Sequence, residues 1–212
     1  MSERDSTRDF YESNAAAYAK RTLTISLREV WDLVAARLGK GALVLDVGCG
    51  AGRDLKELSA RGLRVIGLDY SSALAEIASK HSGQRVLAGD VREVEFADSS
   101  LDGVWAVASL LHIKRAEVAA TLKRLRRWLR DGGLLLTSMM KGQGEEIGSD
   151  GREFVLYQPE EWGAFLKAAG FTVEGCDEMI ARNQTGGRAM KEIAWFVTIG
   201  RAADRKLPNE ET

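Results

Sequence analysis

The stretch VLDVGCGAGR, residues 44–53, decides the fold of this 212-residue chain. The apolar run at 42–47 predicts a strand buried on both faces of a sheet, and residues 53–61 predict the helix that follows it. Glycines in a strand-to-helix turn permit a tight turn and let a ligand approach the backbone, while the start of a helix offers free N–H groups. The stretch therefore predicts a ligand-binding loop.

Strands and helices alternate on both sides of this loop. Further strands are predicted at 63–68, 85–88, 101–109, 134–139, 171–181 and 190–200, and helices at 8–18, 26–38, 72–80, 115–130 and 159–169. The two last strands flank a hairpin-like loop at 183–187. This pattern predicts an α/β fold with a Rossmann-like, mostly parallel sheet, an antiparallel C-terminal hairpin and helices on both faces.

We expect one domain over residues 1–212, with a helical N-terminal part (1–40), a core (41–200) and a frayed tail (201–212). The net charge of -1 gives no basic excess, which argues against nucleic-acid and membrane-surface binding. Cys49 and Cys176 lack metal-type spacing, so no metal site is predicted and both are expected to be reduced thiols. Because no apolar run approaches the roughly 20 residues that span a bilayer, the expected location is cytoplasmic.

Three acids follow predicted strands. Asp46 precedes the first glycine by two residues, where a carboxylate repels a pyrophosphate but suits an ammonium group. The glycine spacing, Gly-x-Gly-x-Gly, also differs from the Gly-x-Gly-x-x-Gly pattern of dinucleotide-binding loops. Asp69 is placed to accept hydrogen bonds from ribose hydroxyls; its alternative role is to cap a helix, which Ser71 or Ser72 can also do. Asp90 is either an adenine ligand, with Val91 packed on the ring, or a turn residue.

Residues 46–53, Asp69, 89–91 and 96–104 (FADSSLDGV) together resemble the class I S-adenosylmethionine-dependent methyltransferases. The closest subgroup is the small-molecule type, which includes quinone-biosynthesis and tellurite-resistance-like enzymes, and the resemblance covers about residues 8–200. It implies a seven-stranded sheet with an antiparallel last strand and S-adenosyl-L-methionine as cofactor. The cofactor contacts expected on this basis are Tyr11, Tyr18, Asp46, Gly48, Cys49, Gly50, Gly52, Arg53, Asp69, Tyr70, Asp90, Val91 and Ser109.

Methyl transfer from a sulfonium needs alignment and exclusion of water, and it needs a general base only when the acceptor is protonated. His112 is the candidate base and a candidate substrate contact, with a purely structural role as its alternative. Tyr11 and Tyr18 lie seven residues apart on one helix face, so they either contact the sulfonium end, with Tyr18 a second catalytic candidate, or simply pack the helix.

The glycine-rich segment 141–152 predicts a mobile lid over the acceptor. Lys141, Arg152 and Tyr157 are its candidate substrate contacts, suited to an anionic or carbonyl group unless the charges only face water. We interpret the basic run 123–130 as the solvated face of an amphipathic helix, and not as a nucleic-acid surface, because leucines lie at helical spacing within it.

The function expected from the whole sequence is methyl transfer to a small-molecule O, N or S nucleophile by a monomer or homodimer. Two alternatives remain open: methylation of a modified tRNA base, and a non-catalytic cofactor-binding or partner-binding module. An NAD-dependent oxidoreductase is disfavoured by Asp46 and the glycine spacing.

Overall fold

A computed structural model describes residues 5–182 and 192–205. Its helices are α1 (Ser6–Thr22), α2 (Arg28–Leu38), α3 (Arg53–Ala60), α4 (Ser72–Ser82), α5 (Arg115–Trp128) and α6 (Pro159–Ala168), with a short 3₁₀ turn at Leu110–His112. Its strands are β1 (Leu43–Val47), β2 (Arg64–Asp69), β3 (Arg85–Ala88), β4 (Leu101–Val107), β5 (Leu129–Met140), β6 (Gly144–Ile147), β7 (Glu153–Leu156), β8 (Phe171–Arg182) and β9 (Glu192–Ala202).

Seven strands form one sheet in the order β3-β2-β1-β4-β5-β9-β8. The five strands from β3 to β5 are parallel, whereas β9 runs antiparallel to both β5 and β8. The predicted fold class is confirmed. The chain proceeds from β1 toward β3 in one direction and from β4 toward β8 in the other, so a crevice opens where β1 and β4 end, and ligands of such sheets bind there.

Apolar side chains cover both faces of the sheet. On one face α5 and α6 contribute Leu122, Trp128 and Trp162, and on the other α2 and α3 contribute Trp31 and Leu55. Each fully buried side chain of this size contributes about 1.5–3 kcal/mol. The two layers hold the strand ends, and therefore the crevice, in a fixed arrangement.

The first helix, α1, is held mainly by polar contacts because it buries only two residues, Ala15 and Ala19. The Glu12 carboxylate accepts hydrogen bonds from the hydroxyls of Ser71 and Ser72, each at 2.7 Å, at the start of α4. At the other side, the Thr7 hydroxyl accepts from the backbone N–H of Glu153 at 2.9 Å. Helix α1 thus bridges α4 and β7 across the crevice.

Segment 141–152 is more ordered than the sequence predicted. It contains β6 and the turn into β7, and these strands pair antiparallel from Gly144↔Leu156 to Ile147↔Glu153. The expectation of a loop without regular structure was wrong because glycines mask the short strands on either side of the turn. Within the described residues, no helix has both the length and the apolar character needed to cross a bilayer.

The C-terminal part also differs from expectation. Strand β9 continues to Ala202, and the Arg205 guanidinium donates to the carbonyl oxygens of Arg127 and Leu129 at 2.7 and 2.9 Å. The core therefore extends into the predicted tail. The loop predicted at 183–187 lies outside the described residues.

The basic run on α5 is not uniformly solvated. The Arg126 side chain is buried and donates to Asp131 at 2.6 Å and to the carbonyl oxygens of Leu129 and Ala203. It lies at the end of α5, where exposed carbonyls favour a cation. Arg124 and Arg127 both pair with Glu95 and do lie nearer the surface.

Candidate active site

A cavity of about 730 Å³ opens at the C-terminal ends of the central strands, beneath α1. This volume is in the range of pockets that enclose drug-sized ligands. The cavity brings together ten of the residues predicted for the site: Tyr11, Tyr18, Gly48, Gly50, Asp69, Tyr70, Asp90, Val91, Ser109 and His112. These ten residues, distant in the sequence, therefore lie around one cavity.

The glycine loop approaches its neighbours so closely that side chains are excluded. Gly48 has φ of +68°, and a Cβ there would lie 2.4 Å from the Cβ of Ser109. Gly52 has φ of +84°, and its Cβ would lie 2.8 Å from the backbone of Ala78. The Cys49 side chain is buried in the core beside Gly67, and Cys49 does not line the large cavity.

Two buried polar atoms beside the loop have no protein partner among the described residues. They are Oδ2 of Asp46 and Oγ of Ser109. Burial, and next the neighbouring Asp54, raises the pKa of Asp46 well above its ordinary value. A buried carboxylate oxygen without a partner is costly unless a ligand donates to it. Asp46 is therefore suited to a cationic, hydrogen-bonding group.

The Asp69 carboxylate links the loop to the start of α4. It accepts from the backbone N–H of Gly50 at 2.7 Å and from that of Ser71 at 2.9 Å. Burial raises the pKa of Asp69 to about 6, so the group is mainly ionised at pH 7. The helix cap is Ser71, whose hydroxyl accepts from Leu74 N–H at 3.2 Å. Asp69 is therefore not the cap of α4, and its carboxylate holds the glycine loop while it lines the cavity.

The far end of the cavity contains Asp90, Val91 and Tyr70. Asp90 is bound by Arg92, whose Nη2 lies 2.6 Å from Oδ2, and it also accepts from the Arg92 backbone N–H at 2.8 Å. Its carboxylate is therefore shared between the turn and the cavity, so both roles considered from sequence are compatible with its position. The Arg8 guanidinium lies 4.8 Å from the centre of the Tyr70 ring.

A directed hydrogen-bond chain lies where α1 meets the β6–β7 hairpin. His112 Nδ1 is 2.6 Å from the carbonyl oxygen of Glu153, which can only accept, so Nδ1 carries the proton. Burial lowers the pKa of His112 to about 4, and the ring is neutral at pH 7. Nε2 is then the acceptor for the Tyr11 hydroxyl at 3.0 Å, and that hydroxyl accepts from Arg152 Nη1 at 3.0 Å.

Three of the four predicted substrate contacts lie outside the large cavity's lining. Arg152 holds Tyr11 and pairs with Asp150 at 2.7 Å. Lys141 pairs with Glu178 at 2.7 Å, and Tyr157 is fully buried against Trp162. These three side chains are held by other partners, whereas Glu153, the first residue of β7, does line the large cavity.

The predicted cofactor ligand Arg53 also lies elsewhere. Its guanidinium makes two hydrogen bonds to Asp54, at 2.8 and 2.9 Å, and both residues line a second, smaller cavity. Asp54 additionally accepts from the indole N–H groups of Trp31 and Trp105. Sequence reasoning missed Asp54 because an acid in the first turn of a helix is ordinary, and its two tryptophan partners are remote in the chain.

These features define a class of protein. The cavity lies at the switch point of a parallel sheet, beside a glycine loop and acids near the C-terminal ends of β1, β2 and β3. This arrangement describes an α/β protein for an adenosyl or nucleotide cofactor. The unpartnered Asp46 oxygen favours a cofactor with a cationic end over one with a pyrophosphate.

Comparison with known proteins narrows the class. Residues 45–137 match a family model described as a methyltransferase domain. A ubiquinone biosynthesis O-methyltransferase of Bradyrhizobium diazoefficiens is 32% identical over 157 residues, which cover 69% of this chain and 61% of that protein. An O-methyltransferase of Aspergillus sclerotiorum, resE, is 32% identical over 127 residues, covering 55% of this chain and 47% of that protein.

A solved structure shares the fold. The 1,6-didemethyltoxoflavin-N1-methyltransferase of Burkholderia thailandensis, determined with 1,6-didemethyltoxoflavin and S-adenosylhomocysteine bound, has a TM-score of 0.73 and 23% identity, covering 94% of this chain and 88% of that chain. Its likeness concerns the fold alone. The sequence matches and the shared fold make the chain similar to class I S-adenosylmethionine-dependent methyltransferases, with residues 45–137 matching the methyltransferase domain. The chain spans about half the length of the curated relatives it matches first, 58% and 47% of two of them.

Proposed function

We propose that the protein transfers a methyl group from S-adenosylmethionine to a small-molecule nucleophile. The observation that carries the proposal is the pair Asp46 and Asp69 on either side of the glycine loop. Asp46 offers an unpartnered buried oxygen, while Asp69 is held in place by two backbone N–H groups. This pair matches a cofactor with an ammonium group at one end and ribose hydroxyls nearer the other.

The residues of the cavity, together with the buried Asp46 next to the lining residue Val47, fit such a cofactor from end to end. Asp46, the glycine loop and Ser109 would hold its amino-acid part, Asp69 its ribose, and Asp90 with Val91 and Tyr70 its adenine. Bound there, the cofactor supplies an activated methyl group on a sulfonium. The chain's own task is then to align the acceptor and to exclude water, which α1 does by covering the crevice.

His112 and Tyr11 are proposed to remove the acceptor's proton. The neutral His112 ring presents Nε2 to the Tyr11 hydroxyl, so Tyr11 can pass its proton to His112 while it takes one from the acceptor. Arg152 supports this transfer because its guanidinium stabilises negative charge on the Tyr11 oxygen. This route serves a hydroxyl or thiol nucleophile, or a protonated amine.

A small molecule is favoured over tRNA as the acceptor. Four of the five basic residues in the run 123–130 are paired with acids, namely Arg124, Arg126, Arg127 and Arg130. We propose that the protein acts as a monomer or a homodimer.

A labelling experiment tests the proposal. The protein is incubated with methyl-labelled S-adenosylmethionine and, in parallel, with a panel of hydroxy-, mercapto- and amino-substituted aromatic compounds or with bulk tRNA. We expect label in at least one small molecule and none in tRNA. Label in tRNA alone would support the tRNA alternative, and label in neither fraction despite cofactor binding would favour the non-catalytic module.

A further inference from the structure

A second cavity, of about 230 Å³, continues the first along the same edge of the sheet. Tyr18, Gly48, Gly50 and Ala108 line both cavities. The large cavity follows the ends of β3, β2, β1 and β4, whereas the small one reaches β5, β9 and β8. The two cavities therefore meet at the end of β4.

We propose that this second cavity binds the body of the methyl acceptor, and that the acceptor is a flat, uncharged, mainly apolar molecule with its reacting atom directed past Tyr18. This inference rests on the proposed function and deepens it. A cavity of this volume holds about ten to twelve non-hydrogen atoms at ordinary packing density, which is the size of a two-ring aromatic compound.

The walls of the cavity are apolar on two sides. Ile25 and Leu27, from the connection between α1 and α2, face Leu136, Trp195 and Val197 of the sheet. At the mouth, large apolar side chains meet water: Ile25 is 47% exposed and Met179 40% exposed. Grouped apolar exposure of this kind marks a binding surface because an apolar ligand would remove it from water.

The charges of the cavity are already neutralised within the protein. Among the described lining residues only Arg53 and Asp54 are charged, and two hydrogen bonds join them to each other. Asp54 receives two further hydrogen bonds, from the indoles of Trp31 and Trp105. Within the part of the lining that the structure describes, no charge is left to compensate an ionic ligand, and a charged body would lose its hydration without a partner.

The polar group of the acceptor would lie at the junction with the large cavity. Ser138 lies there, and its Oγ accepts from the backbone N–H of Ala108 at 2.8 Å. Ala108 has φ of +53°, which is a costly conformation for a residue with a Cβ, and this turn forms the junction between the cavities. Tyr18 completes the junction and packs edge-on against Tyr11 with ring centres 5.1 Å apart.

The test uses 2-naphthol as the probe and the protein saturated with S-adenosylhomocysteine. Ligand-observed NMR measures binding to the wild type, to Val197→Trp, which fills the cavity, and to Ile147→Trp as the matched control. Ile147 is 76% exposed on β6 and does not line the cavity. We expect 2-naphthol to bind the wild type and Ile147→Trp with equal affinity, and to bind Val197→Trp at least tenfold more weakly. We also expect the wild type to bind 2-naphthoate at least tenfold more weakly than 2-naphthol.

Three results would overturn the inference: no 2-naphthol binding to the loaded wild type, equal binding to Val197→Trp, or no preference over 2-naphthoate. Calorimetry with S-adenosylhomocysteine separates this failure from that of the proposed function. Val197→Trp should retain cofactor affinity within twofold, whereas a wild type that does not bind S-adenosylhomocysteine would remove the basis of both proposals.

Discussion

Asp69→Asn is expected to lower the affinity for S-adenosylhomocysteine by about 30-fold or more, since hydrogen bonds to a charged group contribute about 1.5–3 kcal/mol. The asparagine amide has the shape of the carboxylate but offers one acceptor instead of two. Its NH₂ group would oppose either the Gly50 N–H or the Ser71 N–H, which now donate to Oδ2 and Oδ1 of Asp69 at 2.7 and 2.9 Å. Isothermal calorimetry at pH 7.5, well above the Asp69 pKa of about 6, measures the loss.

Asp102→Asn is the matched control for this substitution. Asp102 also accepts a backbone hydrogen bond, from Leu43 N–H at 2.6 Å, and pairs with Arg130, but it is near the N-terminal end of the neighbouring strand. Its loss should leave the cofactor affinity within twofold of the wild type. Equal affinities of Asp69→Asn and the wild type would contradict the assignment of the ribose to Asp69.

His112→Gln is expected to lower kcat about 100-fold, because general-base catalysis contributes about 10²–10⁴. The glutamine carbonyl can still accept a hydrogen bond from Tyr11, so α1 should remain docked, but it cannot take a proton at neutral pH. Cofactor affinity should therefore stay within threefold of the wild type. The measurement combines steady-state kinetics on an acceptor found by labelling with calorimetry on S-adenosylhomocysteine.

His81→Gln provides the control, since His81 lies in the last turn of α4 and outside the cavity. We expect this variant to be as active as the wild type. A kcat of His112→Gln equal to that of His81→Gln would remove His112 from proton transfer. Parallel loss of kcat and cofactor affinity would instead assign His112 a role in holding α1 closed.

Local sequence patterns predicted the sheet and its cofactor edge because those features depend on short segments. The run at 42–47 and the glycines after it specify a buried strand and a tight turn, and the structure places β1 and the loop there. Asp69 and Asp90 were found for the same reason, since each follows a short apolar run. The last two strands were likewise predicted from their long β-type runs.

Contacts between distant segments could not be predicted. The helix α1 carries no apolar stripe, so its position depends on Glu12 reaching Ser71 and on Tyr11 reaching His112, and no local pattern encodes either contact. Arg152 was predicted to contact the acceptor, but its side chain contacts Tyr11 and Asp150 instead. The second cavity was missed because its walls come from α1–α2, β4, β5, β8 and β9 together.

The central claim is that the large cavity binds an S-adenosyl cofactor. A calorimetric titration of the wild-type protein with S-adenosylhomocysteine tests this claim most directly, with NAD as the control ligand. The unpartnered Asp46 oxygen, which suits an ammonium donor, and Asp69 beside the glycine loop predict saturable one-to-one binding of S-adenosylhomocysteine and none of NAD, whose pyrophosphate offers Asp46 no donor. Binding of NAD with equal or greater affinity, or binding of neither ligand by the folded protein, would contradict the account.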